Sequence, residues 1–293
     1  MFEGFTTADI ETSGARIHLR HGGSGPPLLL LHGNPLTHVM WHKVAPRLAQ
    51  DFTVVVTDLR GYGDSSKPPG GEQSMGYSFR EMAKDQVEVM NELGFDRYLV
   101  AGHDRGGRVA HRMALDRPEC VEKVAFLDIV PTHHMLNNIK RQWAVDSYHW
   151  FFMAQAYDYP EKMIEAYGFE RYIRKKLDKK GVGLSAFTPE AMAEYIRCCT
   201  AENIHAVCED YRAAVGIDLA HDEADLATKI DMPMRVLWGE MSHVNRSYKP
   251  IEAWRERATD VSGKMLPCGH YPAEQSADET WSELRTFFAG NRA

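Results

Sequence analysis

Residues 98–108 read Tyr-Leu-Val-Ala-Gly-His-Asp-Arg-Gly-Gly-Arg. The run from Tyr98 to Ala101 is apolar without alternation, which suits a strand covered on both faces. Gly102 and Gly106 stand two residues either side of Asp104. Glycine at both positions allows a strained turn to pass close to neighbouring backbone. The pattern predicts a strand, a sharp turn with Asp104 at its apex, and a helix over 106–115.

The first half of the chain repeats this alternation. Strands are expected at 15–20, 27–31 (Pro-Leu-Leu-Leu-Leu), 52–58, 97–102 and 121–129. Helices are expected at 44–48 and at 78–93, where Met82, Val87, Val89, Met90 and Leu93 supply the apolar positions. Such an order argues for a parallel sheet with helices on both faces. From about Pro131 to Asp218 the chain turns rich in aromatics, Met and charge, with helical spacing. Strand patterns resume at 234–239 and 264–266, and a closing helix fits 278–289. With 293 residues, this reads as one α/β domain with a helical insertion. The expected parts are a core over 1–132, a cap over 133–220 and the rest of the core over 221–293. An insertion at the C-terminal ends of parallel strands belongs over an active site.

Composition removes several function classes. Hydrophobic residues at 44% and charged residues at 26% describe an ordered globular chain. The net charge is −7, and no long basic run suggests a nucleic-acid groove or a polybasic membrane anchor. Arg174-Lys175-Lys176 and Lys179-Lys180 read as a solvated helix face. The longest apolar run, Pro26 to Leu31, falls far short of a membrane span. The start, Met1-Phe2-Glu3-Gly4, lacks the basic and apolar regions of a signal peptide. Five cysteines, odd in number and without C-x-x-C spacing, read as reduced thiols in a cytoplasmic protein.

The turn at Asp104 has the strand–turn–helix context of a nucleophile elbow, with Asp where many enzymes place Ser. The next residue's N–H, that of Arg105, would then point into an oxyanion hole. A second donor is expected from Asn34 in the loop His32-Gly33-Asn34-Pro35. His270, in Pro267-Cys268-Gly269-His270-Tyr271-Pro272, occupies the position of a catalytic base after the last short strand. Two acids could orient it, Asp128 and Glu240. Asp128 is preferred, because an Asp at the end of an otherwise apolar strand is costly unless paired. His38 and His42 resemble a metal pair only superficially and read as structural or surface residues.

A carboxylate nucleophile can displace a leaving group at saturated carbon, and water then hydrolyses the resulting ester with His270 as base. Halide displacement and epoxide opening both fit. Arg105 and Arg108 are three apart at a helix start and share a face. Guanidinium forks match a carboxylate, so this pair points to a small anionic substrate.

These residues resemble the fluoroacetate (haloacetate) dehalogenases of the α/β-hydrolase superfamily. The resemblance rests on His103-Asp104-Arg105-Gly106-Gly107-Arg108, Leu127-Asp128-Ile129-Val130-Pro131-Thr132, Tyr148-His149-Trp150 and Asp210-Tyr211-Arg212-Ala213. It implies an α/β-hydrolase fold, with a mostly parallel central sheet, flanking helices and an inserted helical cap. It also implies that Arg105 and Arg108 hold a 2-haloacid carboxylate, and that His149, Trp150 and Tyr211 bind the departing halide. Glycolate and halide would be the products from a haloacetate. The resemblance implies a homodimer and neither a metal nor an organic cofactor. Asn34 departs from these relatives, which usually carry Phe there; the His-Gly-Asn-Pro loop resembles the haloalkane dehalogenases, whose residue after the nucleophile is Trp. Tyr271 stands where Phe is common. An epoxide hydrolase and a non-catalytic small-acid receptor on the same fold stay open as alternatives.

Overall fold

The computed structural model describes residues 1–179 and 182–290. Its strands in chain order are β1 (Thr6–Glu11), β2 (Arg16–Gly22), β3 (Pro27–Leu31), β4 (Thr53–Thr57), β5 (Tyr98–His103), β6 (Val121–Leu127), β7 (Met234–Gly239) and β8 (Val261–Leu266). They form a single sheet in the order β1-β2-β4-β3-β5-β6-β7-β8. β2 pairs antiparallel with both β1 and β4, and every other pairing is parallel. The mostly parallel α/β class expected from the alternation is the one observed.

The central strands read as apolar runs because both faces are covered. Leu28 to Leu31, Val54 to Val56 and Val100 to Ala101 are all fully buried. β1 escaped the sequence reading, since it is an edge strand with an exposed face and few apolar positions. β6 ends at Leu127, two residues earlier than expected, because Asp128 takes a positive φ of 51° and turns the chain.

The strand order also locates the site. From β3 the chain moves to β4 on one side of it and then returns to β5 on the other. Loops leaving β3 and β5 therefore diverge, opening a crevice at their C-terminal ends. Gly33 and Asn34 follow β3, and Asp104 follows β5.

Between β6 and β7, the described residues form eight helices from Thr132 to Ala224. The helical run passes the expected edge at 220. The helix Ala201–Val215 is fastened to the loop after β4, where Asn203 Nδ2 donates to the Gly61 carbonyl at 2.8 Å and the Tyr62 hydroxyl to Asp210 at 2.6 Å. Among the described residues no helix is long and apolar enough to cross a membrane. All five cysteines are free and buried.

Candidate active site

Asp104 sits at φ 47° and ψ −113°, outside the regions an L-residue normally adopts. Its neighbours explain how the turn is tolerated. A Cβ on Gly106 would lie 2.4 Å from the His32 carbonyl oxygen, and one on Gly102 would lie 2.4 Å from that of Gly106. A Cβ on Gly33 would meet the Asp104 side chain at 2.4 Å. The glycines thus let the two loops interlock, and Gly106 N–H donates to His32 at 2.9 Å across them.

Asp104 Oδ1 accepts from the Asn34 N–H at 2.9 Å, and Oδ2 lies 3.8 Å from His270 Nε2. Burial opposes its ionisation. Interaction with the His270 and His103 rings and with the Arg105 and Arg108 guanidiniums outweighs that and holds the carboxyl well below the usual range. Arg105 is the first residue of the helix Arg105–Asp116, so its N–H lies beyond intrahelical pairing. Asp104 is therefore an ionised carboxylate flanked by two backbone donors.

His270 Nδ1 lies 2.6 Å from Asp128 Oδ2, and Asp128 Oδ1 accepts from the Gly239 N–H at 3.0 Å. Glu240, the other candidate acid, is exposed. Burial pushes the His270 imidazolium down to about 3, so the resting ring is neutral with Nε2 free to accept a proton. Burial also raises Asp128, to about 6, against the pull of His243 and the Gly239 N–H. His243, unremarked in the sequence, packs with its ring centre 4.9 Å from that of His270, the two planes tilted by 58°. One ligand atom from each of Asp128, His243 and His270 falls within 4.8 Å of the others. The hydrogen bond between Asp128 and His270 already engages two of those atoms. His38 is buried, with Nδ1 at 3.0 Å from Asp58, which accounts for it structurally.

The two arginines are not equivalent, as the sequence reading had them. Both guanidinium carbons lie over the Trp150 ring, at 4.9 Å for Arg105 and 4.8 Å for Arg108. Arg105, however, is ion-paired with buried Asp210, donating from Nε at 2.8 Å and from Nη2, which also reaches the Asp210 carbonyl. Burial alone would lower its pKa, but Asp210 reverses the direction. Only Nη1 is left without a partner. Arg108 has no carboxylate within ion-pair distance among the described residues. Its Nη1 donates to Thr132 Oγ1 at 2.8 Å and Val130 O at 3.3 Å, Nη2 meets Met135 Sδ, and Nε has no partner. Burial lowers it to about 10. Asp210 was visible in the sequence as part of a motif, but its partner lies 105 positions away and no local signal revealed it.

The ring of His149 packs edge-on to Tyr211 at 5.7 Å, and that of Trp150 does so at 5.3 Å. Trp150 and Tyr211 are buried. Asn34 Nδ2 donates to the Tyr211 hydroxyl at 3.1 Å, which leaves the phenolic proton free to point elsewhere. All nine residues singled out in the sequence thus fall into one neighbourhood. A cavity of about 560 Å³ opens beside it, lined by His149, Tyr172, Lys176, Lys179, His243 and His270 among others.

Lys176 corrects an expectation. The basic cluster was read as solvated, and Arg174 and Lys175 are indeed exposed. Lys176 instead turns inward: its Nζ is buried, without a hydrogen-bond partner among the described residues, 5.9 Å from the centre of the Tyr211 ring. Burial and neighbouring Lys179 push its pKa well down. Periodicity missed it because a lysine inside a basic run reads as solvent-facing whichever way its side chain turns. Lys180 lies outside the described residues.

The family model for the alpha/beta hydrolase fold matches residues 26–167. A fluoroacetate dehalogenase from a Burkholderia species is 41% identical over 294 aligned residues, covering 100% of this chain and 97% of that protein. A soluble epoxide hydrolase from a Corynebacterium species is 34% identical, covering 94% and 95% respectively. Among solved structures, a Nostoc sp PCC 7120 protein described as an alpha/beta hydrolase superposes with a TM-score of 0.97 at 53% identity, covering 99% of this chain and 100% of its own. Sheet order, elbow and full-length similarity together place this chain in the α/β-hydrolase superfamily and, within it, in the fluoroacetate (haloacetate) dehalogenase family.

Proposed function

We propose that this hydrolase is a haloacetate dehalogenase working through an ester on Asp104. The observation that carries this reading is Arg108, a buried cation with no carboxylate partner beside an ionised carboxylate held on a strained turn. An anionic substrate supplies the missing charge. Its carboxylate is received by Arg108 and by the remaining Nη1 of Arg105. Asp104 Oδ2 attacks the α-carbon, the C–O bond forms, and the carbon–halogen electron pair leaves with the halide. His149, Trp150 and Tyr211 donate to that halide. Hydrogen bonds to a charged acceptor are worth roughly 1.5–3 kcal/mol each. Three donors therefore supply about 5–9 kcal/mol, several orders of magnitude in rate.

In the second half, His270 Nε2 takes a proton from water, and the hydroxide adds to the Asp104 carbonyl carbon. The oxyanion forms between the Asn34 and Arg105 N–H groups. Asp128 holds the imidazole in the right tautomer and steadies its protonated form. Collapse releases the 2-hydroxy acid and restores the Asp104 carboxylate. Every step uses protein groups and water alone.

The test is halide release, with fluoroacetate read by a fluoride electrode and chloroacetate by chloride, beside styrene oxide turnover. Halide from either haloacid is expected. Epoxide turnover without halide release would instead support the epoxide-hydrolase reading, which the Corynebacterium relative keeps alive. His270→Ala, mixed with chloroacetate, should trap the ester on Asp104, visible by mass spectrometry. An unmodified variant that still binds haloacetate would point to a receptor.

A further inference from the structure

We propose that Lys176 is the cationic end of the halide site, its ammonium receiving the departing halide beside His149 and Tyr211. The origin of that anion rests on the dehalogenase reading; the anion site itself does not.

Three observations converge on it. Burial holds the unpartnered Lys176 amine toward its neutral form, and an anion arriving beside Nζ offsets that cost and restores the ammonium. The buried cations of the carboxylate end each have protein acceptors: Arg105 has Asp210, and Arg108 donates to Thr132 and Val130 while keeping Nε free for the substrate. Among the described residues Lys176 Nζ has no such acceptor. Its position is also specific. The Nζ lies 5.9 Å from the Tyr211 ring centre, and the side chain lines the same cavity as His149 and His270. Finally, the backbone that carries it is tied to the site. The Lys176 carbonyl accepts from the Tyr271 hydroxyl at 3.3 Å, next in sequence to His270. Lys179 lines the same cavity and adds positive potential.

The chemistry needs no further reactant. As Asp104 bonds to carbon, the carbon–halogen pair departs as halide. Three neutral donors and one ammonium then surround an ion that can only accept. Lys176 takes its proton from solvent as the anion's charge develops beside it, and the charge transferred from Asp104 to the halide moves toward that ammonium. His149 and Tyr211 orient the ion, and Lys176 supplies the compensating charge.

Chloride titration by calorimetry on the wild-type enzyme, Lys176→Met, Lys176→Gln and Lys176→Arg tests this. Chloride should bind the wild type, and both neutral variants should weaken it by about tenfold or more, the scale of one charge-assisted hydrogen bond. Single-turnover ester formation from chloroacetate should slow by a similar factor, while KM stays within about threefold, because the interaction forms mainly in the transition state. Lys176→Arg should recover most of the chloride affinity. Unchanged chloride affinity in the neutral variants, or no chloride binding by the wild type, overturns the assignment. A loss confined to the dianion succinate also overturns it, and moves Lys176 to a second carboxylate site. Lys176-dependent chloride binding in an enzyme that releases no halide from any haloacid would keep the anion site and reject the dehalogenase reading.

Discussion

Arg105 and Arg108 carry the same charge three positions apart, and the structure gives them different energetic standing. Removing Arg105 orphans Asp210, a fully buried carboxylate. Arg105→Met should therefore destabilise the protein by about 3–5 kcal/mol. Removing Arg108 strips out a cation with no carboxylate partner, so Arg108→Met should stay within about 1 kcal/mol of wild type. Its kcat/KM for chloroacetate should nonetheless fall by about a hundredfold or more, the worth of two charge-assisted hydrogen bonds. Urea melts beside steady-state kinetics separate the two; equal stability losses would refute the distinction. A second prediction concerns pH. Asp128 titrates near 6 because it is buried. As pH falls through that value it becomes neutral and no longer steadies the His270 imidazolium. Asp104 remains ionised, since its pKa is held low. Below about pH 5, where a group of pKa 6 is mostly protonated, ester formation should continue while hydrolysis stalls. Rapid quench should show a burst of one halide per active site followed by a slow phase. A burst-free profile that falls in parallel for both steps would count against this assignment.

Elements differ in how openly the sequence announced them. The β3, β4 and β5 strands were legible because burial on both faces writes an uninterrupted apolar run. The elbow was legible because its glycines answer contacts made within a few residues or from one neighbouring loop. Gly106→Ala should show this directly, since its Cβ would meet the His32 carbonyl at 2.4 Å. The expected outcome is loss of activity with a clear drop in thermal midpoint, measured by calorimetry; an active, unshifted variant would mean the turn relaxes freely. The cap was legible only as a helical stretch. Which side of its helices faced the site was not, because a charged side chain turned into a cavity breaks the usual rule that charged residues face solvent. Lys176 illustrates this. The Asp210–Arg105 and Asp128–His270 contacts span 105 and 142 positions. The second could be anticipated from the order of residues along the fold. The first needed the structure.

At the scale of the whole molecule, the site lies between the sheet and the helices inserted after β6, so the two parts must keep a fixed relation. The helix Ala201–Val215 supplies that link through Asn203 and Asp210, reaching the loop after β4 and the elbow. Tyr157 and Tyr159 are more than half exposed, and Met163 and Tyr167, half exposed, sit where the cavity beside the site meets solvent. Exposed aromatics of this kind mark an interaction surface, and we expect Tyr157 and Tyr159 to pack against a second copy of this chain. Sedimentation velocity should give a dimer for the wild type and a monomer for Tyr157→Lys combined with Tyr159→Lys. A wild-type monomer at micromolar concentration would remove that expectation.

The ion pair between Arg105 and Asp210 also constrains how such a protein can change over generations. A Trp after the nucleophile, as in the haloalkane dehalogenases, cannot be reached here by one substitution. Arg105→Trp alone strands a buried carboxylate, and Asp210→Leu alone strands a buried guanidinium. Each single step is a fitness valley, and only the double change is passable. The two positions are therefore bound by sign epistasis, and lineages should exchange them together or not at all.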